Sequence, residues 1–422
     1  MSRKILFVAY GGGHISMVLP VMQQLRFLAP DVECVLLALT TGYQRAQTAG
    51  EQPLGYKDFL QLVDAPAALR WGETLLGNNS SPDVTREESV AYLGINYLDL
   101  IAQHGELGAA RVYAEKGRYG FAPLQFMNRL VDALSPDVVV ATNSPRSEEA
   151  ALAVAVARGI PSVGMVDLFG LDSDTYVFRE TKPDITCVLA ESVRVRLIKR
   201  GFNASGVIVT GNPGFDGLFN PKNRELADAF IKHKGWQGKD IIFNAGSWES
   251  VSHPDTPIPA GRSFPIEIEG ILRRYTASRP NTALIQRYHP GDWFNYSRLP
   301  EVADVHFSEP PNEPVHPLLI ASTVVVNTNS TLGLEAAVIG KPVISIENSP
   351  SVHAWFSLAK LGVSHPSATH LDLPATLDAV LSHRRSSGVF SSDGRAACRV
   401  ACVILQAMGL EALTQSAGAR FN

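Results

Sequence analysis

KILFVAYGGGHIS, residues 4–16, decides the fold class. Ile5 to Ala9 form an unbroken apolar run, the pattern of a parallel strand covered on both faces. Gly11, Gly12, Gly13 and His14 follow, and a helix is predicted from Ser16 to Leu28. Strand, glycine loop and helix make the unit from which wound α/β domains are built. The same order recurs, with strands expected at 32–38, 138–141, 161–167, 186–189 and 206–209 and helices at 148–158 and 192–200. The turn Gly211-Asn212-Pro213-Gly214 then restarts the series. Strands are expected at 240–244, 282–286, 324–327 and 343–346, and helices at 223–234, 266–275, 317–322 and 331–339, with closing helices at 374–383 and 393–408. This restart predicts two Rossmann-like, doubly wound parallel-sheet domains, 1–210 and 211–422, with the last helices able to pack back on the first. Their carboxyl-end crevices are expected to face one central cleft, the place where ligands bind in open α/β sheets. Segment 56–119, with Tyr92, Tyr97 and Tyr113, is the least regular and is expected to form helices over the edge of the first domain.

Composition narrows the function. The 422 residues are 18% charged and 45% hydrophobic, with 34 Gly and 27 Pro, as expected of a globular, loop-punctuated chain. A formal net charge of −4 gives no overall pull toward nucleic acid or anionic lipid, so an anionic ligand must be held locally. The four cysteines contain no CxxC pair and read as small apolar residues of a reducing compartment, Cys398 and Cys402 included. No run is long and apolar enough for a membrane span. The expected location is cytoplasmic.

Chemistry is expected in four loops that follow strands. At Gly11–His14, glycines admit a ligand to the backbone, and the helix start presents free N–H groups to negative charge. The loop lacks the Lys-Ser/Thr of a phosphate-binding P-loop and the third glycine of GxGxxG. His14 is the candidate general base, since a helix N-terminus disfavours the imidazolium cation. The segment Val326–Glu335 ends a strand in Asn327, Thr328, Asn329, Ser330 and Thr331, which reads as an anion pocket capped by Ser330 or Thr328. A simple capping box would use the same residues without a ligand. Glu335, one turn on, is placed to accept from ribose hydroxyls. In the third loop Arg287 and His289, stiffened by Pro290, offer donors to a diphosphate. In the fourth, Gly246 and Ser247 can touch phosphate and Trp248 can stack on a base. Asn143 to Arg146 and Asp167 end neighbouring strands and are candidate acceptor contacts. Asp172-Ser173-Asp174 has the spacing of a divalent-metal DxD motif but lacks a third ligand.

Together these segments resemble the GT-B-fold superfamily of sugar-nucleotide-dependent glycosyltransferases and UDP-GlcNAc 2-epimerases. GGGHISMVLP (11–20) is similar to the first loop of lipid-linked N-acetylglucosaminyl transferases, and its His to the acceptor-activating His of plant-type enzymes. VTGNPGFDGL (209–218) resembles the epimerase segment that enters the second domain. NTNSTLGLEAAVIGKPVI (327–344) resembles the donor-binding helix, which implies hydroxyls on phosphate and Glu335 on ribose. His289-Pro290 with Ser330-Thr331 is also similar to motifs of sialyl- and Kdo-transferases that use CMP sugars. The chain departs from the epimerases in two of three places: Asn143 stands where they carry Asp, and Asn244–Glu249 replaces their His-Arg-Arg-Glu-Asn run. The acid near Asp167 is kept.

The resemblance therefore implies a glycosyltransferase that moves a sugar from a UDP- or CMP-type donor to an acceptor hydroxyl in polysaccharide or glycoconjugate assembly. His14 and Asp167 are the expected catalytic residues. Gly12, Gly13, Gly246, Ser247, Arg287, His289, Asn329, Ser330, Thr331 and Glu335 are the expected nucleotide-sugar contacts, with no metal and no cofactor. The expected partners are the donor and a glycan, lipid-linked or small-molecule acceptor, but not nucleic acid. A lipid-linked acceptor would bring the protein to the inner face of the membrane, and a homodimer is consistent with the sequence. The alternatives are a 2-epimerase or hydrolase using the same pocket, and a non-catalytic nucleotide-sugar-binding protein.

Overall fold

The computed structural model describes residues 3–79, 84–300, 302–383 and 392–410. The polar C-terminal tail lies outside them. The chain divides into two compact units, Met1–Gly214 with Arg395–Asn422, and Phe215–Gly394. The boundary falls at the end of the turn Gly211–Gly214, four residues beyond the boundary at 210 read from the sequence, and the final helix belongs to the first unit.

The chain opens with β1 (Lys4–Ala9), α1 (Gly13–Leu28), β2 (Glu33–Ala38), α2 (Thr41–Thr48), α3 (Ala65–Leu76), α4 (Arg86–Lys116) and α5 (Leu124–Leu134). It continues through β3 (Val138–Thr142), α6 (Ser147–Ala157), β4 (Ser162–Met165), β5 (Ile185–Val188), α7 (Glu191–Lys199) and β6 (Val207–Val209). The second unit holds α8 (Pro221–Lys234), β7 (Asp240–Gly246), α9 (Ser263–Ala277), β8 (Thr282–Tyr288), β9 (Val305–Ser308), α10 (Val315–Ala321) and β10 (Val324–Asn327). It ends with α11 (Thr331–Val338), β11 (Val343–Ile346), α12 (Pro350–Ala354), β12 (His365–Ser367) and α13 (Leu373–His383), after which α14 (Ala396–Ala407) returns to the first unit.

Each unit has a six-stranded sheet, ordered β2-β1-β3-β4-β5-β6 in the first and β12-β11-β10-β7-β8-β9 in the second, with every named strand pair parallel. Side chains alternate across each strand, so the apolar run of β1 feeds two cores. Ile5, Phe7 and Ala9 pack in a cluster with Val18 and Leu25 of α1 and Val400 and Ile404 of α14. Leu6 and Val8 pack in another with Phe126 and Leu130 of α5 and Ala151 and Val154 of α6. In the second unit Ile242, Leu284, Val326 and Ile344 share a core with Ile268 and Leu272 of α9 and Leu377 of α13. Helices on both faces explain why these strands show no polar alternation.

Segment 56–119 folds mainly as α3 and α4, which cross at two glycines. A Cβ on Gly94 would fall on the Ala68 carbonyl, and one on Gly72 would fall on the Val90 carbonyl. The backbones meet too closely for a side chain, so Gly94→Ala should lower stability by about 2 kcal/mol, read from the denaturant midpoint.

Candidate functional site

In an open parallel sheet, crevices form where the strand order reverses. In the first unit this switch lies between β1 and β3, whose following loops are Gly11–Gly12 and Asn143–Arg146. In the second it lies between β7 and β10, followed by Ser247–Glu249 and Thr328–Ser330.

In the first unit Gly11 is forced by packing, since a Cβ there would collide with the Thr41 hydroxyl. Gly12 adopts φ 70° and caps α1 without a side-chain bond. A Cβ on Gly12 or Gly13 would meet nothing within 4 Å, so the glycine backbone borders open space at the helix start. The Gly12 carbonyl accepts from Ser16 Oγ (3.1 Å) and Arg45 Nη1 (3.0 Å), which hold the loop in shape. His14 is half-buried, and its Nδ1 is buried without a hydrogen-bond partner. Burial lowers its pKa below the ordinary 6.5, and the charge of Asp167 partly offsets this. The fold thus brings His14 and Asp167 within electrostatic reach. The Asp167 backbone is held on both sides: its N–H donates to Asn143 Oδ1 (3.1 Å), and its carbonyl accepts from Asn212 Nδ2 (2.7 Å).

The helix caps after β1, β2 and β3 share an unusual backbone: Gly12 at φ 70°, Thr40 at φ 51° and Arg146 at φ 71°. For Thr40 and Arg146 this conformation is strained, and such strain concentrates at binding sites. The Arg146 guanidinium lies over the rings of Tyr10 (5.3 Å) and Tyr119 (5.8 Å). Beside these loops is a cavity of about 400 Å³ lined by Tyr10, Gly11, Gly12, Thr40, Tyr92 and Arg118, among others. Glu148, in the first turn of α6, is fully buried, and neither carboxyl oxygen has a hydrogen-bond partner. Burial raises its pKa to about 7, against the opposing pull of its own backbone amide, of the Tyr10 amide and of Arg146 and Arg179. A carboxyl that titrates near neutrality at a switch-point loop is a functional candidate that the sequence reading missed. A Glu in a first helical turn usually serves the helix dipole in water, and its burial is invisible in one dimension.

The DxD spacing does not assemble a cation site. Asp172 pairs with Arg200 (3.6 Å), while Asp174 accepts from the Val177 amide (3.3 Å) and Asn143 Nδ2 (3.4 Å).

In the second unit Ser330 caps α11, its Oγ accepting from the Leu332 amide (3.3 Å), while Asn327 Oδ1 accepts from the Ser330 amide (3.1 Å). Gly333 allows this turn, because a Cβ there would stand 2.7 Å from Asn327 Nδ2. Thr328 Oγ1 is buried without a partner, and Asn329 and Ser330 are half-buried while Thr331 is exposed. Glu335 Oε2 lies 3.5 Å from His316 Nε2, so the ribose candidate already has an imidazole neighbour, which the sequence reading did not single out.

Three expectations change. Strand β8 runs to Tyr288, two residues further than read, which draws Arg287 inside. Its Nη1 donates to Ser308 Oγ (2.6 Å) and the Glu313 carbonyl (3.0 Å), so it ties β8 to β9 and to the segment before α10 rather than standing on a loop. Gly246 is the last residue of β7, and a Cβ there would lie 2.7 Å from the Tyr288 ring, so packing requires the glycine. Its carbonyl accepts from the His289 amide (2.9 Å). Half-buried Trp248 packs edge-to-face on the exposed His289 ring at 5.1 Å, which makes these two loop candidates one unit. Ser247 is half-buried beside them.

No protein-family model matches the sequence, and no curated protein matches it. Solved structures do match across the whole chain. UDP-GlcNAc 2-epimerase from Neisseria meningitidis, bound to UDP-GlcNAc, is 14% identical over 96% of this chain and 100% of its own, with a TM-score of 0.57. The S. aureus MnaA–UDP structure is 13% identical over 97% of each chain, with a TM-score of 0.58. The wall teichoic acid polymerase TagF is 12% identical over 97% of this chain and 90% of its own, with a TM-score of 0.53. At such identities the likeness speaks for the fold. With its two Rossmann-like units, each built on six parallel strands, the chain has the fold of the GT-B and UDP-GlcNAc 2-epimerase-like superfamily.

Proposed function

We propose that this protein is a glycosyltransferase that moves a sugar from a UDP- or CMP-type nucleotide donor to an acceptor hydroxyl. The observation that carries the reading is the cavity of about 400 Å³ in the first unit, bordered by the glycine loop that leads into His14. Its lining combines the Tyr10 and Tyr92 rings with Thr40, Thr41 and Arg118, a mixture suited to the apolar faces and hydroxyls of a glycan. An epimerase has no need of an acceptor.

In this reading His14 takes the proton of the acceptor hydroxyl as its oxygen attacks the anomeric carbon of the donor. The bond to the leaving phosphate breaks, and its electron pair stays on phosphate oxygen. Asp167 stabilises the imidazolium that forms. Within the second unit, the α11 amides, Ser330 and Thr331 are read as the donor's phosphate contacts, where one well-placed donor group is worth about 3 kcal/mol. Glu335 and His316 hold the ribose end.

NMR of UDP- and CMP-sugar incubations tests the reading. The donor should persist alone and be consumed only when acceptor glycans are added. Appearance of a C2 epimer or of free sugar without acceptor would replace it with the second reading, a 2-epimerase or hydrolase. That reading is favoured by the epimerases among the structural neighbours and by the retained Asp167. Ser330→Ala should cost about 1 kcal/mol of stability through the lost cap. It should also weaken nucleoside diphosphate binding by about 10-fold in calorimetry, as expected for one lost hydrogen bond to a charged group.

A further inference from the structure

We propose that His253, Asp255 and His353 form a binding site for a zinc-class divalent transition metal. The sequence reading singled out none of the three, because 253 and 353 are a hundred positions apart. One ligand atom from each lies within 4.8 Å of the others. A tetrahedral zinc site with bonds of about 2.0–2.1 Å sets its ligand atoms about 3.3 Å apart, so modest side-chain rotation closes this group on an ion. Asp255 and His353 are exposed and His253 is half-buried, which leaves that rotation free.

The ligand chemistry selects the metal. Two imidazoles and one carboxylate suit zinc, cobalt or nickel, whereas magnesium and calcium prefer oxygen alone. His253 Nδ1 accepts from the Asp255 amide (3.2 Å), which assigns the ring proton to Nε2, and Nδ1 faces Asp255 Oδ2 at 3.7 Å. An ion at His253 Nδ1 would take the place of the hydrogen bond that this nitrogen now accepts. The His253 and His353 rings stand 5.2 Å apart, tilted by 41°.

The two segments that carry these ligands are fastened together from beneath. Glu249, 1% exposed, accepts from Ser349 Oγ (2.8 Å) and from the Ser351 amide (2.8 Å), which ties the loop after β7 to α12. The Ser250 amide donates to Ser351 Oγ (3.3 Å), and Trp355 Nε1 donates to Ser250 Oγ (3.4 Å). Glu249 and Gly261 exchange two backbone bonds of 2.8 Å, which close the loop that holds His253 and Asp255. These bonds hold together the two backbone segments that carry the ligands, while the ligand side chains stay free to turn onto an ion. The ion would complete a clamp between the loop after β7 and the helix after β11. Ser247 and Trp248 open that same loop, so a bound ion would order its far side. The site stands independently of the transfer reading.

The test is zinc binding by the untagged full chain in calorimetry, with cobalt absorption as a second readout. One zinc per chain is expected, undisturbed by excess magnesium, with a visible cobalt band and a higher melting temperature in zinc. His253→Ala, His353→Ala and Asp255→Asn should each weaken zinc by about 10-fold or more. His353→Gln, at an exposed position, should do the same while melting like the parent without metal, which separates ligand loss from misfolding. No zinc binding, or unchanged stoichiometry in the His253→Ala/His353→Ala double variant, would overturn the site.

Discussion

His14→Ala should lower turnover by about 10²–10⁴-fold, the usual contribution of a positioned general base, and leave donor affinity within about twofold of the parent. The separation follows from where the residue sits. His14 belongs to the first unit, whereas the hydroxyl-rich cap of α11 that is read as the donor's phosphate site belongs to the second. Burial holds the His14 pKa below 6.5, and Asp167 raises it again in part. The neutral base therefore persists through neutrality, and the acidic limb of the pH–rate profile should fall below 6.5. Asp167→Asn removes the charge that favours the imidazolium. It should move that limb to still lower pH and reduce kcat, because the cation formed in the transition state loses its partner. Full turnover by His14→Ala, or a limb that does not move in Asp167→Asn, would remove this pair from the mechanism.

The second large effect concerns stability and Glu148. Its carboxyl titrates at about 7 in the fold, against an ordinary value of 4.5. That distance corresponds to about 3 kcal/mol. Between those two pH values the folded protein keeps a proton that the unfolded chain has released. Stability therefore falls as pH rises from 4.5 toward 7 and levels off above it. Glu148→Gln matches the protonated side chain in shape and stays neutral. The variant should equal the parent near pH 4.5 and exceed it by about 3 kcal/mol at pH 8, as read from urea midpoints. A variant less stable than the parent at pH 8 would show that the carboxylate is paired after all. The cost carried by the native carboxyl is the kind that active sites tolerate, and it joins the strained Thr40 and Arg146 backbones on the loops that follow β2 and β3.

Much of the fold was legible in one dimension, because buried parallel strands leave continuous apolar runs and wound units repeat. Residues 324–327 and 343–346 were read with the bounds the structure shows. Strands β9 and β12 were missed, being short and containing His306 and His365, which break the apolar signal. Segment 56–119 resisted because α3 and α4 are joined by close backbone contact at Gly72 and Gly94 rather than by a clean amphipathic stripe.

The candidate site divides in the same way. Glycines, hydroxyls and His14 announce themselves after strands, since only backbone freedom, helix capping and a titratable ring explain those residues in those places. Arg287 looked equally available, yet two more residues of strand carried it into the core. Glu148 looked like a solvated helix start and is sealed from water. His253 and His353 had no visible relation until the Glu249 carboxylate drew their segments together. Local patterning by itself determined the alternation of strand and helix and the polar turns, because those depend on neighbours in sequence. Burial, partner choice and the meeting of distant side chains were decided only in three dimensions, because desolvation and charge act through space.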